Sequence, residues 1–112
     1  MVLAEMPGRL PDAVGHCEEA LRIKPTYAEA HNNLGMALAE MPGRLPDAIA
    51  HYEEAVRLKP GLVDAHVNLA AAYAATGRWE AAIGQLEIAA WLDPASAAIR
   101  EDLEKLRARR RP

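Results

Sequence analysis

One cysteine, Cys17, and one serine, Ser96, are all that this chain has of either residue, and it has no phenylalanine at all. A lone thiol cannot form an internal disulfide, so packing has to hold the fold, and a reducing, cytoplasmic setting is expected. Nucleophilic catalysis needs a hydroxyl or thiol activated by a neighbouring base, and this inventory points away from an enzyme. No glycine-rich phosphate loop is written in the chain, and no cofactor is expected. No apolar run approaches the length of a membrane span, and the N-terminus lacks the basic region and apolar core of a secretion signal, so no membrane partner is expected either. Aromatic residues make up 4% of the chain against 51% for the hydrophobic set as a whole. The core therefore has to be alanine and leucine, which suits helices packed closely on helices.

The formal charge is −3, unevenly spread: Arg107, Arg109, Arg110 and Arg111 carry +4, which leaves −7 for residues 1–106. A basic tail on an acidic body, with no basic face and no interleaved aromatics, is not the footprint of a nucleic-acid binder. Basic residues at a helix C-terminus also complement the helix dipole, and we expect a solvated end there.

What the chain does have is repetition. Pro25, Pro60 and Pro94 close equivalent segments 35 and 34 residues apart, and Gly8, Gly43 and Gly77 repeat the same intervals. Residues 6–40 laid over residues 41–75 agree at twenty-one of thirty-five positions, including the whole octet MPGRLPDA. A period of this size marks a helical solenoid, with 112 residues giving a single domain.

One copy carries, in order, His31, Leu34, Gly35 and Leu38, then Ala48, Tyr52, Ala55 and Pro60. The next copy follows with His66, Leu69, Ala70, Tyr73, Ala82, Leu86, Ala89 and Pro94, while Ala13, Cys17, Ala20 and Pro25 keep only the second half. This ordered pattern resembles the tetratricopeptide repeat, a helix-turn-helix unit of about 34 residues. The resemblance implies an all-α fold, an α-solenoid (right-handed superhelix) of stacked antiparallel helix pairs, about 2.5 to 3 units long with a C-terminal capping helix. It divides the chain into a partial repeat at 1–27, full repeats at 28–62 and 63–96, and a capping helix with the Arg-rich tail at 97–112. Two departures stand out: His replaces the usual Trp of the first helix, and the Met-Pro-Gly turns carry one extra residue.

In chain order, residues 1–5 match the last turn of a first-type helix. A second-type helix follows over about 11–24, with Leu10, Ala13, Val14, Cys17, Ala20 and Leu21 along one side. The next pair spans about 27–40, with Tyr27, Ala30, His31, Leu34 and Leu38 buried, and 46–59, with Ala48, Ile49, Tyr52, Ala55 and Val56 buried. Gly43 is expected to take a positive φ where the chain reverses, and Gly35 opposite Ala48 to let the helices approach. A further pair is expected over 62–75 and 79–92. A last helix over about 95–108 would bury Ile99, Leu103 and Leu106 and expose Arg100, Glu101, Glu104 and Lys105, as the cap of a solenoid needs.

His16 and His51 each stand three residues before a glutamate, Glu19 and Glu54, which is two metal ligands where a site needs three or four. We expect no metal, a solvated outer face for both, and His31 and His66 half-buried and hydrogen-bonded between helices. Cys17 fills the slot of Tyr52 and Leu86 and reads as a core filler.

Another face of the first-type helices carries Glu29, Asn32, Asn33, Met36 and Glu40, with Asp64, Val67, Asn68, Ala71 and Ala75 as counterparts one repeat on. By spacing, none of them belongs to the buried stripe. In the family that the chain resembles, this concave face grips an extended peptide, and the resemblance places Asn33 and Asn68 one above the other. An amide offers a donor and an acceptor, and can therefore bond both groups of a peptide backbone. Similar stacked asparagines line the helical repeats of O-linked N-acetylglucosamine transferase, which shares the phrase NNLG. The carboxylate clamp used elsewhere in the family needs Lys and Arg on this face, where this chain has Asn, Val, Ala and acids. Glu29, Glu40 and Asp64 favour a neutral or basic ligand. The expected function is a protein-binding scaffold. The competing expectation is a self-association module forming a homo-oligomer through the unpartnered N-terminal helix, or a fragment of a larger enzyme's repeat region.

Overall fold

Pro25, Pro60 and Pro94 and the turn glycines Gly43 and Gly77 all stand between helices. The structure, a computed structural model, describes residues 10–110. Six α-helices follow one another: α1 Leu10–Ile23, α2 Ala28–Ala39, α3 Leu45–Leu58, α4 Val63–Ala75, α5 Trp79–Leu92 and α6 Ala97–Arg110. The expected helix remnant at residues 1–5, the turn at Gly8 and the charge at Arg111 lie outside the described residues, as do the side chains of Leu10 and Arg110.

A residue before proline is pushed out of helical geometry, and the second-type helices obey this. Each ends two residues before its proline, at Ile23, Leu58 and Leu92. The intervening Lys59 (φ −139°, ψ 85°) and Asp93 (φ −135°, ψ 75°) are extended, as the clash with the proline ring requires. At the other end Pro46 occupies the first turn of α3, where its missing N–H is not needed. The hairpin turns use glycine instead: Gly43 and Gly77 have φ of 77° and 79°, the left-handed region expected of Gly43.

The chain divides into two compact units, one holding α1 to α3 and ending at Pro60, the other holding α4 to α6 from Gly61. In the first, α2 packs along α3 and also receives α1. Its core is Ala28, Ala30, Leu34, Ala37 and Leu38 from α2 with Ala48, Ile49, Tyr52 and Ala55 from α3. In the second, α5 packs between α4 and α6. Ala65, Leu69, Ala70, Ala72 and Tyr73 of α4 meet Ala82, Ile83, Leu86 and Ala89 of α5, and Ile99 and Leu103 of α6 are buried. Ala37, Ala48, Ala55, Ala65, Ala82 and Ala89 are all 0% exposed. Small side chains at these contacts bring the helix axes together, which is how a chain without phenylalanine fills its interior. Leu38 and Leu69 are its largest fully buried side chains, each worth about 2–5 kcal/mol against alanine.

Several expectations change: Val56 and Leu106 are half-buried rather than buried. Tyr27 is 43% exposed rather than buried, because it precedes the first turn of α2 and its ring lies 5.7 Å from the Lys24 ammonium. Gly35 meets Tyr52 rather than Ala48: a Cβ there would lie 2.6 Å from Tyr52 Cε1. On α1, Ala13 is buried while Val14, Cys17, Ala20 and Leu21 are half-buried, since α2 covers part of that side.

Candidate functional site

The face of α2 singled out by spacing is not uniformly open. Asn33, Met36 and Glu40 are exposed, Met36 at 45%. Asn32 is buried, correcting its assignment to the open face. It shares the i, i+4, i+7 row of Ala28 and Gly35, both buried, and its Nδ2 lies 3.9 Å from Met36 Sδ. Glu29 is half-buried and paired with Lys59 across the hairpin, Oε2 to Nζ 2.9 Å. The Lys59 ammonium, with the backbone N–H of Glu29 itself, holds this carboxyl below the usual carboxylate range. Its charge is already answered within the fold. Glu40 remains as an acid on this face; burial first, and Glu40 second, push the Tyr52 phenol up to about 12.

On α4, Asp64, Ala71 and Ala75 are exposed and Val67 and Asn68 half-buried. Val67 and Ala71 are drawn into a groove of about 290 Å³ with Ala70 and Ala74. Leu86 of α5 and Asp102, Lys105 and Leu106 of α6 complete its lining. Asp64, Asn68 and Ala75 lie outside that lining. The walls are mostly methyl and methylene groups, with one carboxylate and one ammonium at the α6 side.

Asp102, Lys105 and Leu106 line this groove, which a reading of α6 as a polar cap misses. The signal was present in the repeat spacing. Asp102 falls 34 residues after Asn68 and Lys105 falls 34 after Ala71, so both occupy slots of the same face on the next first-type helix. Arg107 and Arg109 of the basic tail are exposed, as expected of a solvated end, and each still meets a partner on α5. Arg107 pairs with Glu87 at 2.9 Å and the Arg109 guanidinium lies 5.1 Å from the Trp79 ring centroid, so α6 folds its charges back onto α5.

The histidines divide. His66 is buried with Nδ1 2.7 Å from Gln85 Oε1, and His31 is half-buried between α2 and α3. His16 is exposed, whereas His51 is half-buried and stacked on His31 rather than solvated. Among the described residues no three of His, Cys, Asp and Glu gather as metal ligands would. Burial first, and Glu18 second, push the Cys17 thiol up, which makes it a poor nucleophile.

On the outer face α1 and α3 repeat an ion pair three residues apart, Glu19 with Arg22 and Glu54 with Arg57. In α5 the same slots hold Ile88 and Trp91, which are 40% and 81% exposed.

Tetratricopeptide-repeat models match residues 16–50 and 65–107, and a model described as TPR repeat matches residues 43–77. The chain belongs to the tetratricopeptide repeat family. The fold is accordingly an all-α solenoid of helical repeats. This repeat chain is similar to a mutant O-GlcNAc transferase from Thermobaculum terrenum, at 29% identity and a TM-score of 0.81, over 92% of its own length and 20% of the transferase chain. It is similar to the TPR2B domain of yeast Sti1, solved as a pHsp70 complex, at 28% identity and a TM-score of 0.80, covering 90% of this chain and 85% of that one. The first TPR of Spaghetti (RPAP3), bound to the HSP90 peptide SRMEEVD, shares the fold at 20% identity and a TM-score of 0.84, over 91% and 80% of the two chains. No match among curated proteins accompanies them. Among the described residues no helix is long and apolar enough to cross a membrane.

Proposed function

We propose that the chain is a non-catalytic scaffold that binds an extended protein segment on its first-type helices, with the α4–α6 groove taking an apolar side chain. The groove itself carries this reading. An apolar cavity of about 150 Å³ stays dry and accepts a benzene ring, so about 290 Å³ lined by Val67, Ala70, Ala71, Ala74, Leu86 and Leu106 has room for a leucine or an aromatic ring. Asp102 accepts hydrogen bonds and Lys105 donates them, and no ion pair joins the two. Together they offer a passing backbone or side chain what an amide offers at Asn33 and Asn68. Asp64 and Asp102 on the second unit, and Glu40 on the first, each favour a neutral or basic ligand where they stand. The yeast Sti1 domain that this chain resembles was solved in complex with pHsp70, which supports a protein ligand for the same architecture.

The reading is tested on a peptide array. Ala71 is exposed, so Ala71→Trp fills the groove without disturbing the core. Binding to the best peptides should fall by about tenfold or more, the effect of losing one anchor of about 1.4 kcal/mol, with an unchanged helical spectrum. Asn33→Ala combined with Asn68→Ala should weaken all peptides alike, because backbone contacts are indifferent to sequence. Array signals unchanged by both variants would contradict the proposal.

A further inference from the structure

The two hairpins are joined at equivalent points by different pairs. In the first, His31 Nδ1 on α2 lies 3.1 Å from His51 Nδ1 on α3, the rings stacked with centroids 5.3 Å apart and planes at 26°. In the second, the slot of His51 holds Gln85, whose Oε1 lies 2.7 Å from His66 Nδ1. His31 Nε2 is 3.0 Å from the Pro25 carbonyl oxygen. A carbonyl only accepts, so Nε2 of His31 carries the hydrogen and the neutral ring presents a bare lone pair at Nδ1. His51 must then donate from its own Nδ1.

This pair can take one extra proton, on Nε2 of His51, and keep its contact. The second has nowhere to go but Nδ1 of His31, where two N–H groups on two cations would face each other. The His66–Gln85 contact has no such limit: Gln85 brings no second ring to charge, and its amide can present an oxygen to a donating His66 Nδ1.

We infer that the His31–His51 contact is an acid-sensitive latch between α2 and α3, closed while the pair holds at most one extra proton and opened by the second. The first hairpin loosens in acid, and the second keeps its join.

The surroundings set where this happens. Burial, then the neighbouring His31 ring, holds His51 below the ordinary histidine range; Arg44 in the preceding turn acts the same way. Asp47 on α3 and Glu18 on α1 act against them. Glu54, paired with Arg57, feels both rings. A folded-state pKa below the unfolded value means that the unfolded chain binds more protons in acid. For the first proton, on His51, the stability is therefore complete above about 6.5, the ordinary histidine value, and falls as pH drops toward the lowered one, while the contact itself opens only with the second proton, further into acid.

His51→Gln installs the arrangement of the second hairpin, and an amide can flip to receive a protonated His31. Urea melts of the intact chain between about pH 7.5 and about pH 5 should show the unfolding constant rising toward acid, at most about tenfold per pH unit for one proton. The variant should show a flatter slope. Hydrogen exchange, corrected for intrinsic rates, should show α2 and α3 losing protection before α4 and α5. Equal slopes for the two proteins, or loss of protection in α4 and α5 first, would overturn the inference. Nitrogen NMR of the unaltered chain needs no variant: near neutral pH the hydrogens should sit on Nδ1 of His51 and Nε2 of His31. A hydrogen on Nε2 of neutral His51 would overturn it equally.

Discussion

At Gly35 one hydrogen atom in place of a methyl group sets how closely α2 lies on α3. A Cβ built there meets Tyr52 Cε1 at 2.6 Å and Cδ1 at 2.7 Å, and the buried ring has no free end to swing away. Gly35→Ala should therefore destabilise the chain by about 1–3 kcal/mol, the usual cost of overpacking. The second hairpin shows the relief: there alanine, Ala70, stands in the slot of Gly35 and Leu86 in the slot of Tyr52. Adding Tyr52→Leu to Gly35→Ala should recover part of the loss, and urea denaturation of the four proteins in a double-mutant cycle checks this. Strict additivity would show that the two side chains do not meet. Spacing alone marked Gly35 as a point of close approach but chose Ala48 as its neighbour. Which rows of two helices interdigitate depends on their crossing angle, and a one-dimensional pattern does not contain that angle. Asn32 went astray for a related reason. Spacing put it on an open face, while the small residues of its row, Ala28 and Gly35, let the neighbouring structure close over it.

The helices themselves were legible almost to the residue, because their ends are set by local sterics. α5 spans the range that spacing predicts, and the other bounds from α1 to α4 move by about one residue. The turns are where this can be tested. Gly43 has φ of 77° with nothing near the position of a Cβ, so an alanine there is opposed by backbone strain alone, of about 1–2 kcal/mol. Gly84 lies inside α5, also with nothing within 4 Å of a Cβ, and takes no left-handed φ. Gly84→Ala should stabilise by about 0.5–1 kcal/mol through helix propensity. Opposite signs for these two glycine-to-alanine changes, read from denaturation midpoints, are expected; equal signs would contradict the account of the turn. The last helix was read less well. Its apolar stripe at Ile99, Leu103 and Leu106 was plain, but the repeat spacing that puts Asp102 and Lys105 on the same face as Asn68 and Ala71 went unused, and Leu106 is half-buried at the groove.

For the molecule as a whole, composition carries a consequence that no single residue does. An interior of alanines lets helices pack closely without large side chains, and the space left open lies beside the short residues of α4. There Ala70, Ala71 and Ala74 border the groove that Leu86 and Leu106 floor. Repeat identity made the family readable, and repeat differences locate what is particular to this chain: His51 against Gln85, Tyr52 against Leu86, and an ion pair against Ile88 with Trp91. That last difference provides the rival surface for any ligand. The most direct test is to map, by backbone amide shifts in NMR, where a peptide selected on the array touches the protein. The groove reading predicts the largest shifts at Val67, Ala71, Asp102, Lys105 and Leu106. Shifts concentrated instead around Ile88 and Trp91, with the groove residues unmoved, would contradict it.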